Sequence, residues 1–133
     1  MKILCFDTSS PALSVGFFDM RKDNADFKNE AICAQTYDRV QHSTALMTAV
    51  EKILKKARLG IDRVDCLAVG LGPGSFTGLR VGITTAKVLG FTLKIPLVGV
   101  SSLEAIAAGA PAWQGPKVVI VDAKKEKLYA GIY

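Results

Sequence analysis

The pattern of apolar and polar positions in the first 36 residues predicts three short strands. Runs of four to eight mostly apolar residues between turn-forming segments are typical of strands. Because the connections are short, we expect an antiparallel meander. The three runs are Ile3 to Phe6, Leu13 to Phe18 and Ala31 to Thr36.

A helical repeat follows these strands. From Gln41 to Gly60, apolar residues recur every three or four positions, and charged residues occupy many of the positions between them. This spacing predicts an amphipathic helix, with Ser43 as its N-cap and the glycine as the residue that ends it. Ala45 and Ala49 lie beside the apolar stripe and give the helix a second surface of low relief.

The rest of the chain alternates between predicted strands and predicted helices. Ser102 is expected to cap the last and shortest helix. The whole order is three strands, helix, strand, helix, strand, helix and two strands, which predicts an α/β fold with a mixed sheet and helices on its faces. The apolar segments behind this prediction are Cys66 to Val69, Val81 to Leu93, Leu97 to Val100, Val118 to Asp122 and Leu128 to Tyr133.

A glycine-rich stretch joins the fourth predicted strand to the longest helix. Its glycines, which include Gly72 and Gly74, allow positive φ and close backbone approach, and Ser75 or Thr77 can cap the helix. A loop that enters a helix N-terminus can hold a phosphate. However, the spacing of its glycines and lysines fits neither of the usual nucleotide-binding patterns. The sequence therefore leaves two interpretations, a phosphate-binding loop and a tight strand-to-helix turn.

The helix after this loop carries a stripe of small residues. Gly78, Gly82, Ala86 and Gly90 are spaced by four and so lie along one line of the helix. Glycine inside a helix costs about 1 kcal/mol relative to alanine, so we expect another backbone to approach this stripe closely. The helix is apolar on its other sides too, which indicates extensive burial, in part against another subunit. Interspersed charges argue against a membrane span.

Composition and charge narrow the class of protein. The 133 residues are half hydrophobic and 22% charged, as expected of one compact domain. A net charge of +5 permits contact with an acidic partner, but the basic residues are spread along the chain and indicate a solvated surface. The three cysteines show no metal-binding spacing, and the first apolar run is too short for a signal peptide. We therefore expect a cytoplasmic protein.

Two side chains are candidates for chemistry. Asp7 ends the first strand, where a carboxylate could hold a metal ion or cap its own turn. His42 is the only histidine, so a site with two histidines cannot form within the chain, and a hydrolase triad has little support. The sequence thus predicts no catalytic set and no metal site. Asp7, Gly72, Gly74 and Ser75 remain the candidate residues for binding a cofactor.

Several motifs along the chain form a recognisable set. The first reads Gly72-Pro73-Gly74-Ser75-Phe76-Thr77-Gly78-Leu79-Arg80-Val81-Gly82, followed by Ala86-Lys87. The others are Ile95-Pro96-Leu97-Val98-Gly99-Val100-Ser101-Ser102-Leu103-Glu104, Asp7-Thr8-Ser9, His42-Ser43, and Asp122-Ala123-Lys124 with Tyr129. Together they resemble, over the whole chain, the TsaB (YeaZ) family, subunits of the bacterial machinery that makes threonylcarbamoyladenosine in tRNA.

The resemblance implies an actin-like ATPase or ribonuclease-H-like lobe, with a mixed five-stranded sheet, helices on both faces and a truncated second lobe. On this basis we expect an N-terminal lobe over residues 1–109, a linker over 110–116, and the first two strands of a second lobe over 117–133.

The resemblance also implies a non-catalytic scaffold that pairs with the catalytic subunit TsaD, acts with the ATPase TsaE, and meets tRNA through the complex. It assigns no cofactor to this chain and leaves ATP and Mg²⁺ to the complex. In the absence of the partner, a homodimer is expected. No contact with a membrane is expected. Replacing Gly82 with leucine is expected to block pairing and leave the fold largely intact. The implied contact residues lie on the first two helices: Ala45, Ala49, Gly78, Gly82, Thr85, Ala86 and Leu89.

One alternative stays open from the sequence. The chain could be a nucleotide-binding actin-like enzyme, with Asp7 on a metal ion and the glycine loop near a phosphate. A protease-like hydrolase is the second form of this alternative.

Overall fold

The computed structural model describes residues 1–20, 32–36 and 42–133, with side chains at 1–20 and 44–133. The elements follow the predicted order, with one additional 3₁₀ turn at Ile61–Arg63. They are β1 (Lys2–Asp7), β2 (Leu13–Asp19), β3 (Ile32–Thr36), α1 (His42–Lys56), β4 (Cys66–Gly70), α2 (Phe76–Leu93), β5 (Leu97–Val100), α3 (Ser102–Gly109), β6 (Val118–Lys124) and β7 (Lys127–Ile132).

Five of the strands form one mixed sheet in the order β3-β2-β1-β4-β5. The first three strands pair antiparallel, as the meander predicts, and β4 and β5 add parallel strands beside β1. Parallel neighbours require crossover connections, which α1 and α2 supply. The predicted α/β class and mixed five-stranded sheet are confirmed.

The core lies between one face of this sheet and the helices α1 and α2. Leu4 and Phe6 of β1 share this face with Leu67 and Val69 of β4, because the register sets each pair side by side. These side chains pack with Leu46 of α1 in a single buried cluster that also includes Ala86 of α2. Both long helices therefore cover the same face, and α3 lies at the margin of the opposite face, where Ser102 contacts Asp7 and Ala105 borders a depression.

The boundaries of α1 differ from the prediction at both ends. The helix begins at His42, so Ser43 lies within the first turn and is not the N-cap. At the other end, Arg58 adopts the left-handed conformation with φ 55°. The N–H of Leu59 then donates to the carbonyl of Leu54 at 3.0 Å, which ends the helix before Gly60.

The N-cap prediction is confirmed for α2 and wrong for α3. Ser75 caps α2, since its hydroxyl accepts a hydrogen bond from the N–H of Gly78 at 3.2 Å. The cap of α3 is Ser101, whose hydroxyl accepts from the N–H of Glu104 at 3.3 Å. The prediction of Ser102 as this cap is wrong, because its side chain turns inward to a different partner.

β6 and β7 form a separate two-stranded antiparallel sheet. One face packs on α3, where Val119 is buried with Leu103 and Ala107. The other face leaves Val118, Ile120 and Ile132 exposed. The division into a lobe, a linker and two further strands stays a prediction.

Candidate functional site

The carboxylate of Asp7 stands at the end of β1, half-buried beside the glycine loop. Its Oδ1 accepts a hydrogen bond from the N–H of Ser9 at 2.6 Å. Its Oδ2 accepts one from the hydroxyl of Ser102 at 2.5 Å. The carboxylate thus caps its own turn and also fixes a residue 95 positions away.

Ser102 extends this contact to the glycine loop. Its hydroxyl accepts a hydrogen bond from the N–H of Gly72 at 3.0 Å, and its own N–H donates to the Gly72 carbonyl at 2.9 Å. The residue is only 2% exposed. Buried hydrogen bonds to a charged group are among the stronger ones in proteins. Ser102 therefore connects β1, the glycine loop and the start of α3.

Gly74 and Ser75 pack against the turn that follows β1. The N–H of Ser75 donates to the carbonyl of Ser9 at 2.6 Å. A Cβ atom at Gly74 would overlap that same carbonyl oxygen. Glycine is required here because another part of the chain's own backbone occupies the space. In a phosphate-binding loop, backbone N–H groups at this place would point to the phosphate. Here the carbonyl oxygen of Ser9 occupies the place, so the contacts favour a tight strand-to-helix turn.

The small-residue stripe of α2 faces the same turn. Thr8 is fully buried, and its hydroxyl donates to the carbonyl of Gly78 at 2.7 Å. A Cβ atom at Gly78 would overlap the Thr8 carbonyl oxygen, and one at Gly82 would overlap the Thr8 hydroxyl. The backbone that approaches the stripe is therefore the chain's own. The expectation that leucine at Gly82 leaves the fold largely intact is wrong.

The other residues expected at a partner contact lie at the edge of the core or within it. Ala86 is fully buried and Ala49 is nearly so. Ala45, Thr85 and Leu89 are half-buried and keep part of their surface in solvent. A partner role for the seven implied residues stays a prediction, and Ala45, Thr85 and Leu89 are the ones that a partner could reach.

The side of α2 opposite the stripe is exposed and rich in apolar and basic residues. Phe91 is 87% exposed and Phe76 is 74% exposed. The guanidinium of Arg80 lies 5.5 Å from the centre of the Phe76 ring, in range for a cation–π contact. This surface was not predicted, because the helix is apolar almost all round and its exposed side has no separate signal. We call it the α2 outer face, and its members are Phe76, Arg80, Thr84, Lys87, Val88 and Phe91.

A cleft of about 720 Å³ separates the glycine loop from the β6–β7 hairpin. Ser9 and Gly74 line one side, and Asp122 and Lys124 line the other. The backbone N–H of Lys124, and then its ammonium at 3.2 Å, lower the pKa of Asp122 below its ordinary value. The ammonium of Lys124 is thus paired with a carboxylate of its own hairpin.

The contacts of Asp7 favour a structural role over a site for a nucleotide with a bound metal ion. Each carboxylate oxygen of Asp7 accepts one hydrogen bond from the chain, which holds the side chain in its own turn and against Ser102. No group of three metal-ligating side chains occurs among the described residues. The cofactor role of Asp7, Gly72, Gly74 and Ser75 stays a prediction.

No helix in the described ranges is both long enough and apolar enough to cross a membrane.

Comparison with known proteins gives the same family by sequence and by structure. The family described as TsaD, tRNA N6-adenosine threonylcarbamoyltransferase, matches residues 37–133. The tRNA threonylcarbamoyladenosine biosynthesis protein TsaB of Bacillus subtilis is 34% identical over 100% of this chain and 55% of its own length. The Escherichia coli protein of the same name is 33% identical, with the same coverage of both chains.

A solved structure supports this assignment. YeaZ from Pseudomonas aeruginosa superposes with a TM-score of 0.84 at 30% identity, over 99% of this chain and 58% of its own. The chain therefore spans a little over half the length of these relatives. It belongs to the TsaB (YeaZ) family, within the broader family of TsaD-like domains.

Proposed function

We propose that the chain is part of a non-catalytic scaffold subunit in the biosynthesis of threonylcarbamoyladenosine in tRNA, and that it pairs with TsaD. Full-chain similarity to proteins named for this pathway supports the process. Pairing is supported chiefly by the α2 outer face, which exposes two phenylalanines on a rigid helix.

The chemistry of this face suits a protein partner. Aromatic residues and arginine are enriched at the centres of interfaces, and the α2 outer face combines Phe76, Phe91 and Arg80. Lys87 lies between them on the same side and adds a second positive charge. We therefore expect the partner to offer an apolar groove with carboxylates at its rim. Ala45, Thr85 and Leu89 would form the edge of the contact.

The glycine loop is occupied by contacts within the chain, and this supports a scaffold role over a catalytic one. Asp7, Thr8 and the loop glycines contact each other in place of a substrate. In this proposal the network holds α2 rigidly, so that the α2 outer face is presented without a conformational cost on binding. TsaE and tRNA would then act on the complex, and the chain would form a homodimer through the same face when TsaD is absent.

The test is the molar mass in solution, measured by light scattering after size exclusion, for the protein alone and mixed with TsaD. We expect a one-to-one heterodimer in the mixture. Phe91→Asp should abolish it, because a charge in an apolar contact loses its hydration without gaining a partner. The matched control is Ile120→Asp, which changes a residue that is also exposed but lies on the β6–β7 hairpin.

Retention of the heterodimer in Phe91→Asp would contradict the proposed surface. If only Ile120→Asp loses the heterodimer, the contact lies on the β6–β7 hairpin and not on the α2 outer face. If the unaltered protein does not associate with TsaD, the proposed pairing is wrong.

A further inference from the structure

One end of the molecule brings together basic residues that are far apart in the sequence. β1, β4 and β5 run parallel, and α1 and α2 run back along them as crossover connections. The C-terminal ends of both helices therefore lie at the same end of the sheet as the N-terminal ends of these strands. We call this the basic end, and its cationic residues are Lys2, Lys55, Lys56, Arg58, Arg63 and Lys94.

The carboxylates at the basic end interact with other groups of the chain. Oδ2 of Asp62 lies 3.4 Å from Nε of Arg63. Asp65 accepts a hydrogen bond from the backbone N–H of Lys2 at 2.7 Å. Asp19, which lies opposite Lys2 in the strand register, also interacts within the chain. Three carboxylates stand against six basic side chains, so this end keeps a net positive charge.

Three of the basic side chains have no acidic partner. Lys55 is paired with Glu51, one turn earlier in α1, at 2.7 Å. Lys56, Arg58 and Lys94 are exposed, and none of them forms an ion pair with a side chain that the structure describes. Their charges are therefore free to interact with another molecule.

Both long helices end in the same way, with a cation in a position that favours glycine. Arg58 and Lys94 each adopt the left-handed conformation with φ 55°. The next residue in each case, Leu59 or Ile95, donates its N–H to the carbonyl five positions back, at 3.0 and 3.1 Å. Glycine is the usual residue at such a helix end, because a side chain is disfavoured there. Since Leu59 and Ile95 pack against the core, each cation is held on a fixed backbone.

The chemistry of the basic end suits the phosphate backbone of an RNA. Lysine is depleted at interfaces between proteins, whereas lysine and arginine supply the phosphate contacts of nucleic-acid interfaces. A membrane surface would need apolar side chains to insert beside the cations. The apolar residues next to Arg58 and Lys94 are half-buried and pack against the core: Leu59, Ile61 and Ile95.

We propose that the basic end binds the phosphate backbone of tRNA, with Arg58 and Lys94 as its fixed contacts. This inference rests on the proposed role in tRNA modification but not on pairing with TsaD. Phosphate contacts position a nucleic acid and do not read its sequence. Lys94 follows Phe91 by one turn of α2, so RNA at the basic end would lie beside a partner bound to the α2 outer face.

The test measures the binding of a fluorescently labelled tRNA transcript by anisotropy over a range of salt concentrations. It uses the complete protein that contains this chain, without TsaD. Arg58→Gly and Lys94→Gly are made singly and together. We expect the double variant to bind about tenfold more weakly, because two phosphate contacts are lost. The slope of log affinity against log salt concentration should decrease by about 1 for each residue replaced.

Two comparisons separate the loss of charge from a loss of structure. Both glycine replacements relieve a left-handed side chain, so the urea midpoint of the protein should not fall. Arg58→Lys keeps the charge and should retain the affinity for tRNA. Lys125→Gly is the matched control, because Lys125 is also exposed and left-handed, with φ 51°, but lies at the tip of the β6–β7 hairpin. It should leave the affinity and the salt slope unchanged.

Unchanged affinity and slope in the double variant would overturn the proposal, as would no binding of tRNA by the unaltered protein at low salt. An equal loss in Lys125→Gly would also overturn it, since net charge alone would then explain the binding. Sedimentation with phosphatidylglycerol vesicles tests a membrane. Vesicle binding that the double variant loses while it keeps tRNA binding would assign the basic end to lipid and contradict the proposal. Because TsaD is absent, a failure here is distinct from a failure of the light-scattering test of pairing.

Discussion

The two sides of α2 have opposite characters. The inner side carries Gly78, Gly82 and Ala86, which are buried, and it lies so close to Thr8 that a single methyl group would overlap it. The outer side carries large apolar residues, of which Phe91 is almost fully exposed. Both sides would be described as helix contact surfaces from their composition alone.

This difference shows that small residues and large apolar residues serve two kinds of contact. A small residue permits backbone approach, and here the approaching backbone is the end of β1. A large exposed side chain supplies apolar area that only another molecule or a further segment can bury. The inner side therefore serves folding, and the outer side is the surface that we propose for pairing.

Gly78→Ala should have the largest effect on stability. The new Cβ would overlap the carbonyl oxygen of Thr8, and backbone cannot move aside as a side-chain tip can. We expect the free energy of unfolding to fall by about 3 kcal/mol, in the upper range for overpacking. Urea titration followed by circular dichroism measures it. An unchanged midpoint would mean that the inner side is loosely packed and would remove the basis of the comparison.

Ser102→Ala should have the next largest effect, because the Ser102 side chain connects the glycine loop in front of α2 to the end of β1. The change removes hydrogen bonds to the Asp7 carboxylate and from the Gly72 N–H. We expect a loss of about 2 kcal/mol, as for a hydrogen bond to a charged group. Ser101→Ala is the matched control and should lose about 1 kcal/mol as an N-cap. A larger loss for Ser101→Ala than for Ser102→Ala would show that the hydrogen bonds of Ser102 stabilise the protein less than the N-cap does.

Gly90→Ala should stabilise the protein, although it lies on the same stripe. The nearest atom to its new Cβ would be the carbonyl oxygen of Ile95 at 3.5 Å, which is ordinary contact. Alanine is favoured over glycine in a helix by about 1 kcal/mol, so the unfolding midpoint should rise. A fall would show that the close packing extends along the whole helix and is not confined to the first half of α2.

Phe91→Asp should have the smallest effect on folding. The side chain is exposed and at the surface, where substitutions change stability by about 0.5 kcal/mol or less. The same urea titration provides the measurement. A loss as large as that of Gly78→Ala would mean that Phe91 is packed within the protein, and the distinction between the two sides would fail.

Much of the fold could be predicted from the sequence, because its signals are local. β5 begins and ends where its apolar run does, and α2 begins after Ser75, one of the two candidate caps. The continuous apolar runs of β1 and β4 also predicted these two strands correctly. In these elements the pattern of a few neighbouring residues determines the structure.

The errors occur where a distant residue decides between equal local choices. Ser101 and Ser102 are both good caps, and the choice depends on Asp7, which is far away in sequence. The small-residue stripe predicts a close backbone but cannot say that the backbone belongs to Thr8. Arg58 ends α1 in place of Gly60, against the usual preference for glycine in the left-handed region.

The pairing claim is tested most directly by photocrosslinking from a single position. Benzoylphenylalanine would replace Phe91 in one protein and Ile120 in another, and each would be irradiated in a mixture with TsaD. Our account predicts a covalent adduct with TsaD from position 91 and none from position 120. An adduct from position 120 alone would contradict the assignment of the α2 outer face to pairing.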